Sequence, residues 1–400
     1  MPVSAGTMDA SGLRIALFSG NYNYIRDGAN QALNRLVEYC LRKGAAVRVY
    51  SPTVDTPAFE KNAEVVHIPS FSIPGRKEYK FPLGLPLRVR RDIKAFAPNI
   101  FHVASPDLLG HAAVTLAHRM GLPVVASVHT RFETYMRYYG LAFMEPAIEA
   151  ILRRFYRRCD AIFAPSDSMA QLLREQRMSY NVGIWTRGID RTIFHPGARD
   201  PAWRESLGLG ADMPVIGFVG RLVMEKGLDV FSDAIDSLEQ RQVRHKVLVV
   251  GEGPAREWFE RRLPNAVFAG FQKGPDLGRA VASMDMLFNP SVTETFGNVT
   301  LEAMAAGLPV VAAIATGSES LVTDRVTGRL IRPGAVEGFA EALRHYCEDE
   351  TARREAGRAG CEVSRRYGWD EVNQALVDGY CRVIRQRERG GRGPPESPVP

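Results

Sequence analysis

The sequence has few features that would link it to a secreted, zinc-binding or membrane-spanning protein. Its five cysteines are odd in number and scattered, with no Cys-x-x-Cys pair and no histidine at zinc-finger spacing. We therefore expect reduced thiols and no disulfide framework. No basic stretch followed by an apolar run opens the chain, and no uncharged apolar run reaches the roughly 18 residues of a membrane span. These absences predict a cytoplasmic protein without a secretory signal, which meets a membrane only from the side.

Signatures of several enzyme classes are also absent. No Gly-x-Gly-x-x-Gly follows a predicted strand, no Gly-x-x-x-x-Gly-Lys-[Ser/Thr] loop occurs, and no Gly-x-Ser-x-Gly elbow is found. Dinucleotide-dependent enzymes, P-loop enzymes and serine hydrolases thereby lose their main sequence support. The composition, with 45% apolar and 24% charged residues, is that of an ordinary globular protein. A chain of 400 residues is too long for one small core and predicts two domains.

The formal net charge of +6 is distributed unevenly along the chain. Residues 1–200 carry 26 Lys and Arg against 17 Asp and Glu, whereas residues 201–400 carry 25 against 28. Two stretches, 76–94 and 153–158, concentrate the positive charge. A basic half is compatible with nucleic acid, an anionic membrane surface or a phosphorylated substrate, and equally with a solvated face that binds nothing. Composition alone does not choose among these alternatives.

Apolar runs of strand length alternate with helical periodicity along the whole chain. This alternation predicts an α/β protein built from strand-helix units with parallel sheets. One series of strands begins at 13–19 and a second begins at 214–219. The stretch 69–86, rich in Pro, Gly and basic residues, is predicted to be a long surface loop. We expect two Rossmann-like domains that face each other across a cleft, a common position for a ligand.

Local composition predicts the domain boundaries. Pro and Gly are frequent between the two series of strands, which indicates a linker at 196–212 between an N-terminal domain at 1–195 and a C-terminal domain at 213–370. Residues 371–386 are predicted to form a helix that returns to the N-terminal domain. The polar, Pro- and Gly-rich tail at 387–400 is predicted to be disordered.

The most informative segment is 289–309. A predicted strand ends in a turn that contains Glu294, and a helix then begins near Gly297 and contains Glu302. Exposed N–H groups at a helix start bind anions, and glycine lets a diphosphate approach closely. Glu302 is placed to accept hydrogen bonds from a ribose diol, and Glu294 to reach the group beyond the phosphates. The alternative is a structural role for each carboxylate, in a turn or on the surface. The predicted diphosphate site comprises Gly297, Asn298 and Val299.

A second segment, GRLVMEKG at 220–227, follows the first strand of the second series. Arg221 lies just past the strand and Lys226 lies at a helix start. Two such cations can neutralise a pyrophosphate and stabilise the charge that develops on it as a leaving group. Glycines on either side allow close backbone approach. The alternative is a surface ion pair between Arg221 and Glu225, with a stability contribution below about 1 kcal/mol.

Together these segments resemble the retaining glycosyltransferases of the GT-B fold, in particular family 4. The resemblance rests on the 220–227 segment, on GEGP at 251–254, on two glutamates separated by seven residues, and on AGLPVV at 306–311. It implies that Arg221 and Lys226 hold the diphosphate of a nucleotide-sugar donor. It also implies that Glu302 holds the ribose and that Glu294 addresses the sugar. The implied catalytic residues are Glu294, His129, Arg221 and Lys226. The implied donor-binding residues are Gly28, Arg221, Lys226, Gly251, Gly253, Glu294, Phe296, Gly297, Asn298, Val299 and Glu302.

The N-terminal half matches the family more loosely. The loop after the first strand departs from the usual double-glycine version, and Gly28 is its best candidate for close approach to the donor. His129 ends a buried strand where the family places a histidine against the donor sugar, although a lone histidine is more often structural. Arg187 replaces the usual Asn of an Asn-Gly-Val-Asp segment. Residues that follow His129 are candidates for the acceptor side: Arg131, Tyr135 and Tyr138.

No Asp-x-Asp triplet occurs, so the divalent-metal clamp of the other large glycosyltransferase architecture lacks support. We expect no metal and no cofactor, with the two cations and the helix start supplying the positive charge. The sequences SPDLLGHAA at 105–113 and SVHTRFETYMRYYG at 127–140 are similar to those of sulfolipid synthases and GDP-mannose-dependent α-mannosyltransferases.

The resemblance predicts transfer of a hexosyl group (mannosyl, glucosyl or uronosyl) from a GDP- or UDP-sugar to a lipid or lipid-linked acceptor. The protein would act in glycolipid or cell-envelope synthesis at the inner face of the cell membrane, with the basic stretch near 69–94 against anionic headgroups. The alternatives are a soluble sugar or polysaccharide acceptor, or a nucleotide-sugar-binding protein without catalysis. A nucleic-acid partner is not expected, because no recognisable module accompanies the positive charge.

Overall fold

The computed structural model describes residues 10–22, 24, 28–58, 62–73, 76–129 and 142–390. The chain divides into two compact units. The first unit is Met1–Gly188 with Trp369–Pro400, and the second unit is Ile189–Gly368. The strands are β1 Arg14–Phe18, β2 Ala46–Ser51, β3 Glu64–His67, β4 Ser70–Ile73, β5 Arg76–Pro82, β6 Ile100–Val103, β7 Val124–Ser127, β8 Ala161–Ala164, β9 Val182–Ile184, β10 Val215–Val219, β11 Lys246–Val250, β12 Val267–Phe268, β13 Met286–Asn289, β14 Val310–Ala313 and β15 Gly328–Ile331. The α-helices are α1 Gly28–Arg42, α2 Leu87–Phe96, α3 Leu108–Met120, α4 Glu145–Tyr156, α5 Asp167–Glu175, α6 Pro201–Ser206, α7 Leu228–Gln240, α8 Arg256–Arg262, α9 Gly274–Ala282, α10 Asn298–Ala305, α11 Thr316–Leu321, α12 Val336–Glu348, α13 Glu350–Ser364 and α14 Trp369–Glu388.

The first unit is built on a parallel sheet of seven strands in the order β3-β2-β1-β6-β7-β8-β9. Both faces of this sheet are covered, as is usual for parallel sheets. Along β1, Ala16 and Phe18 pack into one core, and Ile15 and Leu17 pack into the other. Helices α1 and α14 lie on the face that carries Ile15 and Leu17, so the last helix of the chain closes the core of the first unit.

The stretch 69–86, which the sequence predicts as a surface loop, contains the antiparallel hairpin of β4 and β5. Phe71 and Phe81 face each other across it, with ring centroids 5.4 Å apart. Cross-strand aromatic pairs of this kind stabilise a short hairpin. Helix α2 follows directly, with Val89, Ile93 and Phe96 turned into the core.

The second unit has a parallel sheet of six strands in the order β12-β11-β10-β13-β14-β15. Two of its strands contain continuous apolar runs that are buried, at 247–250 in β11 and at Val310–Ala313 in β14. Two hydrophobic clusters cover the two faces of this sheet. The described structure therefore has the mixed α/β architecture that the alternation of strands and helices predicts.

Residues 196–212, expected to be a linker, are folded into the second unit, which begins at Ile189. Helix α6 lies in this stretch, and Arg204 on it is 3% exposed. The Arg204 guanidinium donates to the carboxylate of Asp285 at 2.8 Å and to the carbonyl of Ser283 at 3.0 Å. Pro and Gly in this stretch mark the ends of short helices, and the buried ion pair ties them to the sheet. Residues 391–400 of the predicted tail lie outside the described residues.

Candidate active site

The candidate site of the second unit lies where the strand order reverses. Strand β10 has β11 on one side and β13 on the other, so the connections after β10 and β13 leave the sheet in opposite directions. The crevice at the carboxyl ends of such strands is the usual ligand position in open parallel sheets. The connection after β10 contains residues 220–227, and the connection after β13 contains residues 290–297. The two sequence motifs are therefore adjacent in the fold.

Glycines allow the loops after β10 and β11 to interlock. A Cβ atom at Gly251 would lie 1.9 Å from the carbonyl oxygen of Gly220, and one at Gly253 would lie 2.3 Å from that of Leu222. Leu222 donates its backbone N–H to the carbonyl of Glu252 at 3.0 Å. No side chain fits at either glycine without moving backbone. Gly251 and Gly253, both predicted donor-binding residues, thus fix the shape of the crevice.

Gly227 brings the turn of Lys226 against the connection after β13. Its φ is +74°, a left-handed conformation that favours glycine, and a Cβ there would lie 3.1 Å from the carbonyl oxygen of Pro290. Gly227 ends the short helical turn Met224–Lys226 and begins α7. One residue therefore sets both the direction of Lys226 and its proximity to the segment that leads to Glu294.

Lys226 and Glu294 form an ion pair between the two motifs. The Lys226 Nζ donates to Glu294 Oε1 at 2.5 Å, although 68 residues separate them in sequence. Their side chains are 29% and 21% exposed, so the pair is partly shielded but still reachable from solvent. The sequence predicts both residues as functional, and the structure brings them together. Arg221, the other predicted cation, is exposed and lies at the start of the connection after β10.

Helix α10 begins at the predicted diphosphate site. Gly297 precedes it with φ +92°, and no side chain caps the helix start. The first N–H groups of an α-helix have no acceptor within the helix, and the helix dipole adds positive potential there. Asn298 and Val299 contribute these N–H groups. Phe296, predicted to bind donor, has its side chain buried against the Tyr367 ring, with centroids 5.9 Å apart.

Glu302 is a largely enclosed carboxyl group one turn along α10 from Asn298. Residues four apart on a helix lie on the same face, so Glu302 follows the predicted phosphate site along the helix. Burial and, secondarily, the neighbouring charge of Glu294 raise the pKa of Glu302 to about 8. A carboxylic acid that stays protonated near neutral pH can both donate and accept a hydrogen bond. In the protonated form it would also place no full negative charge beside the predicted diphosphate site.

Two site residues were not expected from the sequence. Thr316 Oγ1 and the backbone N–H of Gly317 both donate to the carbonyl of Glu294, at 2.8 and 2.9 Å. A Cβ at Gly317 would lie 2.7 Å from the backbone carbon of Phe296. These contacts hold the Glu294 turn from the connection after β14. A Thr-Gly pair directly after a predicted buried strand is the sequence signal that could have revealed them.

In the first unit, His129 follows the end of β7, as the sequence predicts. Its Nε2 lies 2.8 Å from Ser127 Oγ, and its Nδ1 lies 2.9 Å from an Nη atom of Arg187. Burial, followed by the nearby positive charge of Arg187, lowers the pKa of His129 well below its usual value. His129 is therefore an uncharged ring at neutral pH.

The other predicted residues of the first unit are less fully described. Gly28 begins α1. Gly20, in the loop after β1, is closely packed, since a Cβ there would lie 2.4 Å from Asp107 Oδ2. The acceptor-side candidates lie outside the described residues: Arg131, Tyr135 and Tyr138.

Within the described ranges, no group of three or more His, Cys, Asp or Glu is arranged to hold a metal ion. None of the helices that the structure describes is long and apolar enough to cross a membrane. All five cysteines are free thiols.

Comparison with known proteins identifies the family of the chain. Residues 213–349 match the family model described as glycosyl transferases group 1, and residues 26–192 match glycosyltransferase family 4. The chain is 34% identical to the GDP-mannose-dependent alpha-mannosyltransferase of Mycobacterium tuberculosis, over 94% of this chain and 98% of that protein. It is 31% identical to sulfoquinovosyl transferase SQD2 of Arabidopsis thaliana, over 89% of this chain and 71% of that protein.

Among solved structures, the chain is similar to sucrose-phosphate synthase from Thermosynechococcus elongatus. The TM-score is 0.75 at 20% identity, over 94% of this chain and 99% of that one. The chain that gives these matches has two units with parallel sheets. Its second unit contains the interlocked glycine loops and the Lys226–Glu294 ion pair. The chain belongs to the family 4 glycosyltransferases, glycosyl transferases group 1, and has the GT-B fold.

Proposed function

We propose that this glycosyltransferase moves a hexosyl group, of mannosyl, glucosyl or uronosyl type, from a GDP- or UDP-sugar to a lipid or lipid-linked acceptor. We further propose that it retains the anomeric configuration and needs no metal ion. The names of the similar proteins, a GDP-mannose-dependent mannosyltransferase and a sulfoquinovosyl transferase, support this choice of donor and product class. The observation that carries the proposal is the Lys226–Glu294 pair beside the open start of α10.

The donor diphosphate would lie at the start of α10, between its N–H groups and the cations Lys226 and Arg221. Charge-assisted hydrogen bonds of this kind grow stronger as negative charge develops on the leaving phosphate. The partial exposure of Lys226 supports this role, because the ammonium group can turn from Glu294 towards a phosphate without crossing the core. Glu302 would then bind the ribose diol, and Glu294 would face the sugar.

The acceptor side is proposed from the outer face of α2 in the first unit. Leu87 is 72% exposed, and the side chains of Arg88, Arg91 and Lys94 are exposed on the same helix. Among the described residues, these three cations form no ion pair. The one acid of the helix, Asp92, is turned inward, where it accepts from Arg48 at 3.0 Å and from Tyr50 at 2.9 Å. The outer face is therefore positive and partly apolar, as expected of a surface that touches anionic headgroups.

The second basic stretch is different. Arg153 is paired with Glu149 at 2.6 Å, Arg157 donates to the Arg177 carbonyl, and Arg158 donates to Thr115. The Arg153–Glu149 pair lies within α4, and the bonds of Arg157 and Arg158 tie the end of this helix to other segments of the first unit. This difference between the two basic stretches supports α2, rather than α4, as the membrane-facing element.

The donor is tested first by thermal unfolding of the full chain with UDP, GDP and ADP. A nucleotide present at 100 times its Kd stabilises by about 2.7 kcal/mol, so the preferred base is directly visible. The matching sugar nucleotide is then incubated with diacylglycerol in vesicles and with soluble oligosaccharides, with and without EDTA. We expect EDTA-insensitive transfer to the lipid with retained configuration. Transfer only to the oligosaccharide would replace the lipid acceptor, and nucleotide binding without any transfer would indicate a binding protein.

Membrane contact is tested by sedimentation with vesicles of phosphatidylglycerol and phosphatidylcholine. The triple variant Arg88→Gln, Arg91→Gln and Lys94→Gln should bind about 100-fold more weakly, since each cation near an anionic surface contributes about 1 kcal/mol. The matched control removes the same charge from exposed arginines of the second unit and should bind as the wild type does: Arg244→Gln, Arg354→Gln and Arg365→Gln. Equal loss in both variants would show that only the net charge matters.

A further inference from the structure

A buried chain of polar side chains runs through the first unit from α14 to His129. Tyr380 Oη lies 2.7 Å from His102 Nδ1, His102 Nε2 lies 2.8 Å from Ser127 Oγ, and Ser127 Oγ lies 2.8 Å from His129 Nε2. Tyr380 and His102 are 0% exposed and Ser127 is 2% exposed. Buried polar groups that all find partners are costly to disturb and hold one another in place. The last helix of the chain is thereby linked to the histidine at the end of β7.

Trp185 fixes the two imidazole rings of this chain. Its ring meets His102 edge-on at 6.0 Å and His129 edge-on at 5.7 Å. Trp185 donates its Nε1–H to Asn373 Oδ1 on α14 at 3.3 Å. Because Trp185 is only 1% exposed, neither ring can flip without displacing a large side chain from the core. Helix α14 therefore supports His129 by two routes, through Tyr380 and through Asn373.

Arg187 determines which nitrogen of His129 carries the proton. Its guanidinium group donates to His129 Nδ1 at 2.9 Å and can only donate. His129 Nδ1 must therefore be an unprotonated acceptor, and the ring proton of the neutral imidazole lies on Nε2. That N–H points at Ser127 Oγ, which accepts it. The Arg187 guanidinium also donates to the carbonyls of Trp185 at 3.0 Å and Thr186 at 3.1 Å, and these bonds fix its position beside His129.

We propose that Tyr380, His102 and Ser127 are positioning residues which, together with Arg187, hold His129 as a neutral imidazole protonated at Nε2. The inference rests on the proposed function for its catalytic meaning. With both ring nitrogens bonded inside the first unit, His129 gives no proton to the transfer reaction and takes none from it. His129 is thus held as an uncharged ring of fixed orientation. Among the residues that the structure describes, the titratable groups whose charge would oppose a positive charge on His129 are Arg187 and, through Ser127, His102.

The direct test is a long-range 1H–15N correlation spectrum of the full chain labelled with ring-15N histidine. The His129 signals are assigned by their loss in His129→Gln. We expect one protonated-type nitrogen, Nε2, and one unprotonated-type nitrogen, Nδ1, unchanged from pH 5.5 to 8.5. A signal of the opposite tautomer, or an imidazolium pattern above pH 6, would overturn the proposal. This readout does not require transfer activity, so a failure of the proposed function leaves it intact.

Substitutions separate positioning from mere folding. Arg187→Met removes the hydrogen bond to His129 Nδ1, so His129 should populate both tautomers. Arg187→Lys keeps a hydrogen-bond donor and should keep the tautomer protonated at Nε2. Tyr380→Phe should lower kcat about threefold to tenfold, the effect of one neutral hydrogen bond, with the donor KM changed by less than about twofold. The same variant should change the 15N chemical shifts of the ring nitrogens of His102 and His129.

Tyr39→Phe is the matched control. It removes a tyrosine hydroxyl bonded to Gln374, also on α14, outside the chain of bonds to His129. Its kcat and its His129 signals should equal those of the wild type. If Tyr380→Phe and Tyr39→Phe behave alike in both measurements while both are folded, the positioning role of Tyr380 is wrong.

Discussion

The candidate sites of the two units are formed by different kinds of chemical group. In the second unit the candidate site combines backbone groups and glycines with the Lys226–Glu294 pair, Arg221 and Glu302, and these residues come from short segments that follow neighbouring strands. In the first unit the support for His129 consists of side chains that come from β6, β7, the segment after β9 and α14. His102 and Tyr380 are 278 residues apart in sequence. A site made from loops after adjacent strands is visible as motifs, and a site made from scattered core side chains is not.

The largest effect on the proposed difference between the two units is expected from a substitution of Lys226 in the second unit. We expect Lys226→Ala to lower the rate of sugar transfer about 100-fold to 1,000-fold, the usual effect of removing a group that stabilises transition-state charge. Single-turnover kinetics measure it. Lys246→Ala, at the opposite end of the neighbouring strand β11, removes the same charge and should leave turnover unchanged. Near-normal turnover of a folded Lys226→Ala protein would contradict the assignment of the second unit as the donor site.

The second test concerns the protonation of Glu302. A pKa raised from 4.5 to about 8 means that the folded state keeps the proton that the unfolded state loses. The wild type should therefore lose stability as the pH rises from about 4.5 to about 8, at up to about 1.4 kcal/mol per pH unit. Glu302→Gln cannot ionise, so its stability relative to the wild type should increase over this range and then level off. Urea unfolding at pH 5, 6.5 and 8 measures the free energy of unfolding of both proteins. A difference between the two free energies that does not change with pH would refute the raised pKa.

The third test concerns backbone packing in the second unit. Gly253→Ala places a methyl group against the backbone of Leu222 and should destabilise the fold by about 1–3 kcal/mol, as overpacking does elsewhere. Nucleotide affinity should fall with it, because the loop that shapes the crevice moves. Gly12→Ala in the first unit meets nothing within 4 Å and should have little effect. Equal effects of the two variants would mean that the loops of the second unit are not interlocked.

The smallest expected effect tests the side-chain support of the first unit. Asn373→Ala leaves the buried Trp185 N–H without its acceptor, and an unmet donor costs about 1–2 kcal/mol. Unfolding in urea should show this loss, while nucleotide affinity in the second unit stays within about twofold of the wild type. A strong loss of nucleotide affinity would show that the two sites are not built independently.

The same difference explains what the sequence could predict. The predicted strands at 13–19 and 214–219 contain β1 and β10, because buried parallel strands are continuous apolar runs. The sequence predicts a loop at 69–86 and not the hairpin, since Pro, Gly and Lys there conceal two short strands. It predicts a linker at 196–212 because composition does not reveal that Arg204 is buried against Asp285.

For the site, the sequence predicts Lys226, Glu294 and Glu302, and the structure brings the first two into contact. It did not identify Ser127, His102 or Tyr380. These residues carry no local pattern, and only the packing of α14 onto the first sheet brings them together. Thr316 and Gly317 fall between the two cases, because their position after a strand is visible but their bonds to Glu294 are not.

The most direct test of the account is calorimetric titration of the full chain with GDP and UDP, comparing Lys226→Ala with His129→Ala. Loss of a charge-assisted hydrogen bond weakens binding by about 1.5–3 kcal/mol, roughly 10-fold to 100-fold. We expect Lys226→Ala to lose this much affinity for the nucleoside diphosphate, which carries no sugar, and His129→Ala to keep it within about twofold. The reverse result, with His129→Ala defective and Lys226→Ala unaffected, would contradict the division of labour between the two units.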